Sequence, residues 1–255
     1  MKLKSVLVAL LVLAVVALAI TAVVHSRTQK CSKLSIVVVN SESNQEITPQ
    51  TLERLLKQSK ANPVGRSIND LDREAMERVM RQNVWFDSIT VMHTKGSTVK
   101  IEVRAKEPLV QVFPKEGDPY MISARGEFLP WINVVNQKFF VLNGEVHVQY
   151  APGKNVTQSK DPALLNALRV ATYLRDDEVA KAQYTQLYAA PNGEIQLYNN
   201  VTGHLVLVGN GEDMKGKMNN LEKVYTRGLV YLPNNQYDRI DARYEGKVYA
   251  NKKGQ

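Results

Sequence analysis

The sequence predicts an α+β protein: a single amino-terminal transmembrane helix, a small β-α-α-β-β module, and a larger, mainly antiparallel β domain with two helices. Three observations carry this. Ser5 to Val24 is a run of twenty residues without a charge. Two apolar stripes at three- and four-residue spacing follow a short β-branched run. Beyond Glu107-Pro108 the texture changes to short strand-like runs separated by turn residues.

A helix rising about 1.5 Å per residue crosses a hydrocarbon core of about 30 Å in twenty residues. A cleaved signal peptide has a shorter apolar core and a small-residue site; Ala17-Leu18-Ala19 supplies the site, but the length of the run favours a retained anchor. Cys31 follows Thr28-Gln29-Lys30, which lacks the small apolar residues of a lipid-attachment site, and a lone cysteine forms no intrachain disulfide. Lys2 and Lys4 before the run, against Arg27, Lys30 and Lys33 after it, do not decide orientation by charge. The folded part must follow the helix, and bacterial signal-anchors of this shape export it. The expected organisation is a short tail and transmembrane helix over 1–26, the small module over 31–106 and the β domain over 107–251.

Within the module, Lys33–Val39 reads as a strand rich in β-branched residues. Thr48 then caps a helix with Pro49 at its first position and Leu52, Leu55 and Leu56 on one face. A second helix begins near Asp70, striped by Leu71, Ala75, Met76, Val79 and Met80. Ser88–His93 and Thr98–Val103 are strands joined at Lys95-Gly96-Ser97. In the β domain the expected strands are Leu109–Phe113, Tyr120–Ser123, Phe128-Leu129, Lys138–Asn143 and Val146–Tyr150. A helix opens at Ser159 or Asp161 with Pro162. Tyr184–Tyr188 and Glu194–Tyr198 flank the hairpin signal Pro191-Asn192-Gly193. His204–Val208 is a further strand, and Glu212–Tyr225 is the second helix.

The formal net charge of +8 invites a nucleic-acid reading. Lys and Arg are interspersed with Asp and Glu, however, which is the pattern of a solvated mixed-charge surface. His25, His93, His147 and His204 share no metal-ligand spacing. Asp70 and Asp72 open a helix, where carboxylates favour the positive dipole end; Asp176, Asp177 and Glu178 read as a solvated turn. No nucleophile elbow, phosphate loop or dinucleotide fingerprint occurs. The expectation is a non-enzyme with no cofactor and no metal.

The carboxy-terminal stretch Tyr237–Tyr249, YDRIDARYEGKVY, alternates apolar or small residues with charged ones and reads as one half-buried strand. Five of the eleven tyrosines fall at Tyr225, Tyr231, Tyr237, Tyr244 and Tyr249, and tyrosine is enriched where proteins grip one another. Tyr244 lies on the apolar register, where core packing and partner contact are both open. Tyr249 lies on the charged register, which favours contact.

The run Val99 to Val110, VKIEVRAKEPLV, after a β-α-α-β-β module resembles a POTRA domain running into its neighbour. With Tyr120-Met121-Ile122, Gly126, Val206-Leu207-Val208-Gly209, Lys217-Met218, Leu221 and Tyr237-Asp238 through Tyr244, the chain resembles the FtsQ/DivIB family of cell-division proteins along essentially its whole length. Ser123 departs from the Asp that many members carry before the glycine turn. The resemblance implies a non-enzymatic divisome scaffold at the septum, anchored once in the inner membrane with its folded part in the periplasm. It also implies binding to FtsB and FtsL and linkage to the septal synthase FtsW/FtsI complex. The POTRA module would contribute to recruitment, and the last strand would offer its free edge to FtsB. The expected partner-binding residues are Arg239, Arg243, Tyr244, Glu245, Lys247, Val248 and Tyr249: Arg243 pairs with an acidic partner residue, Tyr244 and Tyr249 pack around the added strand, and Arg239 assists. The alternative is another anchored POTRA protein of an export or assembly system.

Overall fold

The computed structural model describes residues 11–21, 29–39, 47–93, 96–132, 139–229 and 236–254. Residues 11–21 are helical and exposed. Among the described residues no helix is long and apolar enough to cross a membrane. The expected span, Ser5 to Val24, runs past the described residues at both ends, and His25, Arg27, Lys95, Lys138 and Tyr231 lie outside them. The chain forms two compact units, Met1–Ala105 and Lys106–Gln255.

In the first unit β1 (Lys33–Val39), α1 (Pro49–Gln58), α2 (Arg73–Met80), β2 (Phe86–His93) and β3 (Thr98–Ala105) follow one another. The sheet order is β1-β3-β2, with β1 parallel and β2 antiparallel to β3. The caps explain where the helices start. The Thr48 hydroxyl accepts from Thr51 N–H ahead of Pro49, and the Asp72 carboxylate accepts from Ala75 N–H, each offsetting donors that a helix start leaves unpaired. The second helix therefore begins at Arg73; the expected start near Asp70 is a 3-10 turn, Ile68–Asp70. Leu52, Leu56, Met76 and Met80 bury one stripe of each helix. Cys31 is a free, buried thiol at the foot of β1.

The second unit is a nine-stranded sheet with helices packed on one face. Its strands are β4 (Pro108–Val112), β5 (Tyr120–Ser123), β6 (Phe128–Pro130), β7 (Phe140–Gly144), β8 (Tyr184–Ala189), β9 (Ile195–Asn199), β10 (Leu205–Gly209), β11 (Tyr237–Asp241) and β12 (Tyr249–Lys252). They lie in the order β12-β11-β10-β9-β8-β7-β4-β5-β6. Three pairs, β4–β7, β7–β8 and β10–β11, are parallel and the other five antiparallel. Parallel neighbours need a crossover. For β7 and β8 it contains α3 (Pro162–Asp176) and α4 (Glu178–Gln183), and for β10 and β11 it contains α5 (Met214–Arg227). Leu164, Ala167, Val170 and Leu174 of α3 meet Val110, Leu142, Leu187, Leu197, Val206 and Ile240 in one core.

Three expectations are corrected here. Among the described residues the domain has three α-helices, not two: Asp177, read as part of a solvated turn, accepts from Val179 and Ala180 N–H and starts α4. Residues 146–150 are not a strand, because Lys115 N–H donates to Val146 O and the buried Tyr120 hydroxyl donates to Val148 O, so the segment's acceptors are used outside a ladder. The carboxy-terminal strand is two strands. The Asp241 carboxylate accepts the Arg243 N–H, Lys247 N–H turns back to Tyr244 O, and Gly246 takes φ +67°. That left-handed conformation suits glycine. The charge alternation survives this break, but the backbone reverses within it.

Candidate functional site

β12 is the outermost strand of the sheet and all four of its residues are exposed. It pairs with β11 through Asp241–Tyr249, Ile240–Ala250, Arg239–Asn251 and Tyr237–Lys252. Lys253 N–H donates inward to Gln236 O. Alternation along an antiparallel strand then turns the N–H groups of Lys252 and Ala250 outward, where no described strand receives them. Such an edge can template another chain.

The loop between β11 and β12 places the aromatic and charged groups beside this edge. Tyr244 and Tyr249 are 53% and 50% exposed and meet edge to face, with ring centroids 5.4 Å apart and an angle of 88°. The Arg243 guanidinium carbon lies 5.9 Å from the Tyr244 ring centre. Half-exposed tyrosines held rigid by each other lose little entropy when a partner covers them.

Arg243 is not free to reach outward. Its Nε and one terminal nitrogen donate to the two Asp241 oxygens at 2.9 and 2.7 Å, and the other donates to Glu194 Oε2 at 2.9 Å. A bidentate fork of this kind is the strong form of an arginine–carboxylate pair. Burial opposes ionisation of Asp241, but the side-chain and backbone hydrogen bonds from Arg243 outweigh it and hold the carboxyl below its usual range. For Glu194 the hydrogen bond from Asn192 does most to lower the pKa, burial opposes it, and Arg243 adds to the lowering. The hydrogen bonds that Arg243 donates to both carboxylates raise its own pKa. The arm runs over Gly209, at φ +71°, where an added Cβ would come within 3.3 Å of Arg243 Cγ. The clamp thus ties the β12 loop to the β8–β9 hairpin and to β10.

The remaining expected residues divide by position. Arg239 sits inside the sheet on β11, opposite Leu205 and Asn251, with its side chain exposed on the face away from the helices. Glu245 and Lys247 are exposed in the loop, not on a strand. Val248 is half-buried against the core. Sequence reading missed Glu194 and Asp241 as the partners of Arg243; Glu194 is 49 residues distant, and no spacing rule connects it. It also missed Tyr188 and Tyr198, which are 42% and 44% exposed on the open face. Register puts Tyr198 beside Leu205 and Leu205 beside Arg239, so this row runs toward the open edge. The alternation in β8 and β9 holds the signal for them: Tyr188 and Tyr198 fall on the register opposite Leu187 and Leu197.

Two family models match the chain. Residues 107–251, more than half of the chain, match the family described as FtsQ/DivIB, C-terminal related, and residues 29–104 match the POTRA-like domain. The chain belongs to the FtsQ/DivIB C-terminal related family. The FtsQ/DivIB match takes in β11, the loop after it and β12 as far as Asn251, and the β-α-α-β-β unit is the POTRA-like part. No curated protein matches the sequence. Among the described residues no group of His, Cys, Asp and Glu is arranged to hold a metal ion.

Proposed function

We propose that this FtsQ/DivIB-type protein is a non-catalytic scaffold of the division machinery. It binds FtsB and FtsL outside the cytoplasmic membrane and connects them to septal peptidoglycan synthesis by the FtsW/FtsI complex. The amino-terminal apolar run spans the inner membrane once, placing residues 31–106, the POTRA domain, and 107–251, the β domain, in the periplasm at the septum. The observation that carries this reading is β12: an exposed outermost strand with outward backbone groups and the Tyr244–Tyr249 ring pair beside it. FtsB adds a strand to that edge by β-augmentation. Each added backbone hydrogen bond contributes roughly 0.5–1.5 kcal/mol, so side-chain anchors must supply the rest.

In this reading Tyr244 and Tyr249 pack around the added strand, and Val248 backs them from the core side. Glu245 and Lys247 flank it, and Arg239 contacts the partner from the open face. Arg243 acts through its clamp, holding the loop in place and presenting Tyr244. The export or assembly alternative keeps the POTRA-like part but gives the FtsQ/DivIB match no role, and it is the weaker reading.

The test is FtsB/FtsL binding by the full chain in neutral detergent, with Ala250→Pro compared to the parent. Proline removes one outward N–H and leaves the inward bonds to β11. Native circular dichroism with at least tenfold weaker binding is expected. Equal binding by a folded Ala250→Pro chain overturns the edge reading.

A further inference from the structure

A second surface lies in the POTRA-like unit and owes nothing to the β12 edge. A cleft of about 320 Å³ runs along α2. Leu71, just ahead of α2, and Ala75 and Val79, one turn apart on it, form its apolar floor; all three are only half-buried. The floor follows α2 along its length of about two turns. The small Ala75 at its centre makes the row a groove into which a ridge of side chains can settle.

The rim is basic. Lys60, Arg66 and Arg78 stand around the floor, and the one carboxylate among the lining groups, Asp72, already caps α2. On the same two helices Lys57 pairs with Glu53 at 2.7 Å and Arg81, just past the second, with Glu77 at 3.3 Å. Lys60, Arg66 and Arg78 have no carboxylate partner among the described residues. Arg66 donates to Lys60 O at 2.7 Å, which fixes its guanidinium without neutralising it. The unpaired charge that lines the cleft is therefore of one sign.

We infer that this α2 cleft is a docking groove for an acidic amphipathic helix of a partner protein. Its apolar residues enter the Leu71–Ala75–Val79 floor and its carboxylates meet Lys60, Arg66 and Arg78. This is the helix-in-groove mode, in which one stripe of anchors supplies burial and flanking charges set the register. The concave floor favours a helix over a bilayer surface, which is flat on this scale and makes poor contact with a groove.

The test uses the full chain in dodecyl maltoside and a fluorescent synthetic helix with leucines at i, i+3, i+4 and i+7 and glutamates on the flanks. Its counterpart carries lysines in place of the glutamates. The acidic peptide is expected to bind and the basic one not. Binding should weaken at least tenfold in K60E/R78E and about threefold in the milder Arg78→Gln, and it should fall on raising salt. Arg104→Glu, on β3, and Ala250→Pro, on the β12 edge, should leave it unchanged; loss of FtsB binding in Ala250→Pro with peptide binding intact separates the two surfaces. The inference is overturned if neither peptide binds, if both bind alike, or if folded K60E/R78E binds like the parent. It is also overturned, in favour of a lipid surface, if these substitutions change only the capture of phosphatidylglycerol vesicles.

Discussion

At one end of the nine-stranded sheet β6 is three residues long, buries Phe128 and Leu129, and stops at Pro130; at the other, β12 leaves all four residues exposed. The outer side of β6 is also bonded. Phe128 N–H donates to Lys154 O at 3.1 Å, Val156 N–H donates to Gly126 O, and Glu127 bridges to Asn155. A loop thus closes one edge and a terminal proline blunts it, both familiar ways of preventing unwanted strand pairing. Among the described residues neither device protects β12. Protection is therefore available to this fold and is withheld at one place, which turns an exposed edge from a hazard into a candidate binding surface.

Substitutions can break that contrast from either side. Phe128→Ala at the closed edge should lose about 3–5 kcal/mol of stability, as a buried aromatic truncation does, measured by denaturant unfolding. Binding of FtsB by the chain that remains folded should be unchanged. Ser123 is 2% exposed, and its hydroxyl accepts from Arg125 and Glu127 N–H. Ser123→Ala should cost about 0.5–1.5 kcal/mol for the hydrogen bonds lost, again with no effect on binding.

At the open edge the order reverses. Tyr249→Ala should barely move the unfolding midpoint yet weaken FtsB binding about tenfold, or about 1.4 kcal/mol, read by titration. Arg243→Ala should cost about 1 kcal/mol of stability, since the pair is a third exposed and screened by solvent. It should weaken binding less than Tyr249→Ala, because its effect passes through the loop. A larger loss from Arg243→Ala than from Tyr249→Ala would mean the guanidinium meets the partner directly.

The smallest effect is one of pH at the same end. His204 stacks on Tyr225, with rings 5.6 Å apart and 9° from parallel. Burial lowers its pKa below the usual value near 6.5, although the nearby Asp238 opposes the shift; Lys253 adds to it. The folded protein therefore resists the proton that the unfolded chain accepts. The stability this contributes is complete above about pH 6.5 and is lost as pH falls through that value toward the lower folded pKa. A melting temperature that declines over this window in the parent and less steeply in His204→Phe is the expected result.

Much of the fold was legible because local chemistry forces it. Thr48-Pro49, Asp161-Pro162 and Pro191-Asn192-Gly193 mark element ends through capping, a fixed φ and turn geometry. The helix at Pro162 and the hairpin joining β8 to β9 fall where those signals place them. The errors cluster where long-range bonds compete with local ones. Residues 146–150 carry a strand-like composition, but Tyr120 and Lys115 take their acceptors. In Tyr237–Tyr249 the alternation holds as far as the buried Ile240 and Ala242, but β12 exposes both registers, and the Glu245-Gly246 turn signal was outweighed by the pattern.

What the sequence determined by itself is the starts of the helices at Pro49 and Pro162, the β8–β9 hairpin and the inward register of the buried strands, because these depend on neighbours within a few positions. What only the tertiary structure decided is the arrangement that matters for binding. The parallel placement of β10 beside β11 through α5, the clamp of Arg243 between Asp241 and the distant Glu194, and the covering of β6 but not β12 all join residues far apart in sequence. No local preference encodes such meetings. They follow from burying one face of nine strands at once, and the edge left over is a property of the whole sheet.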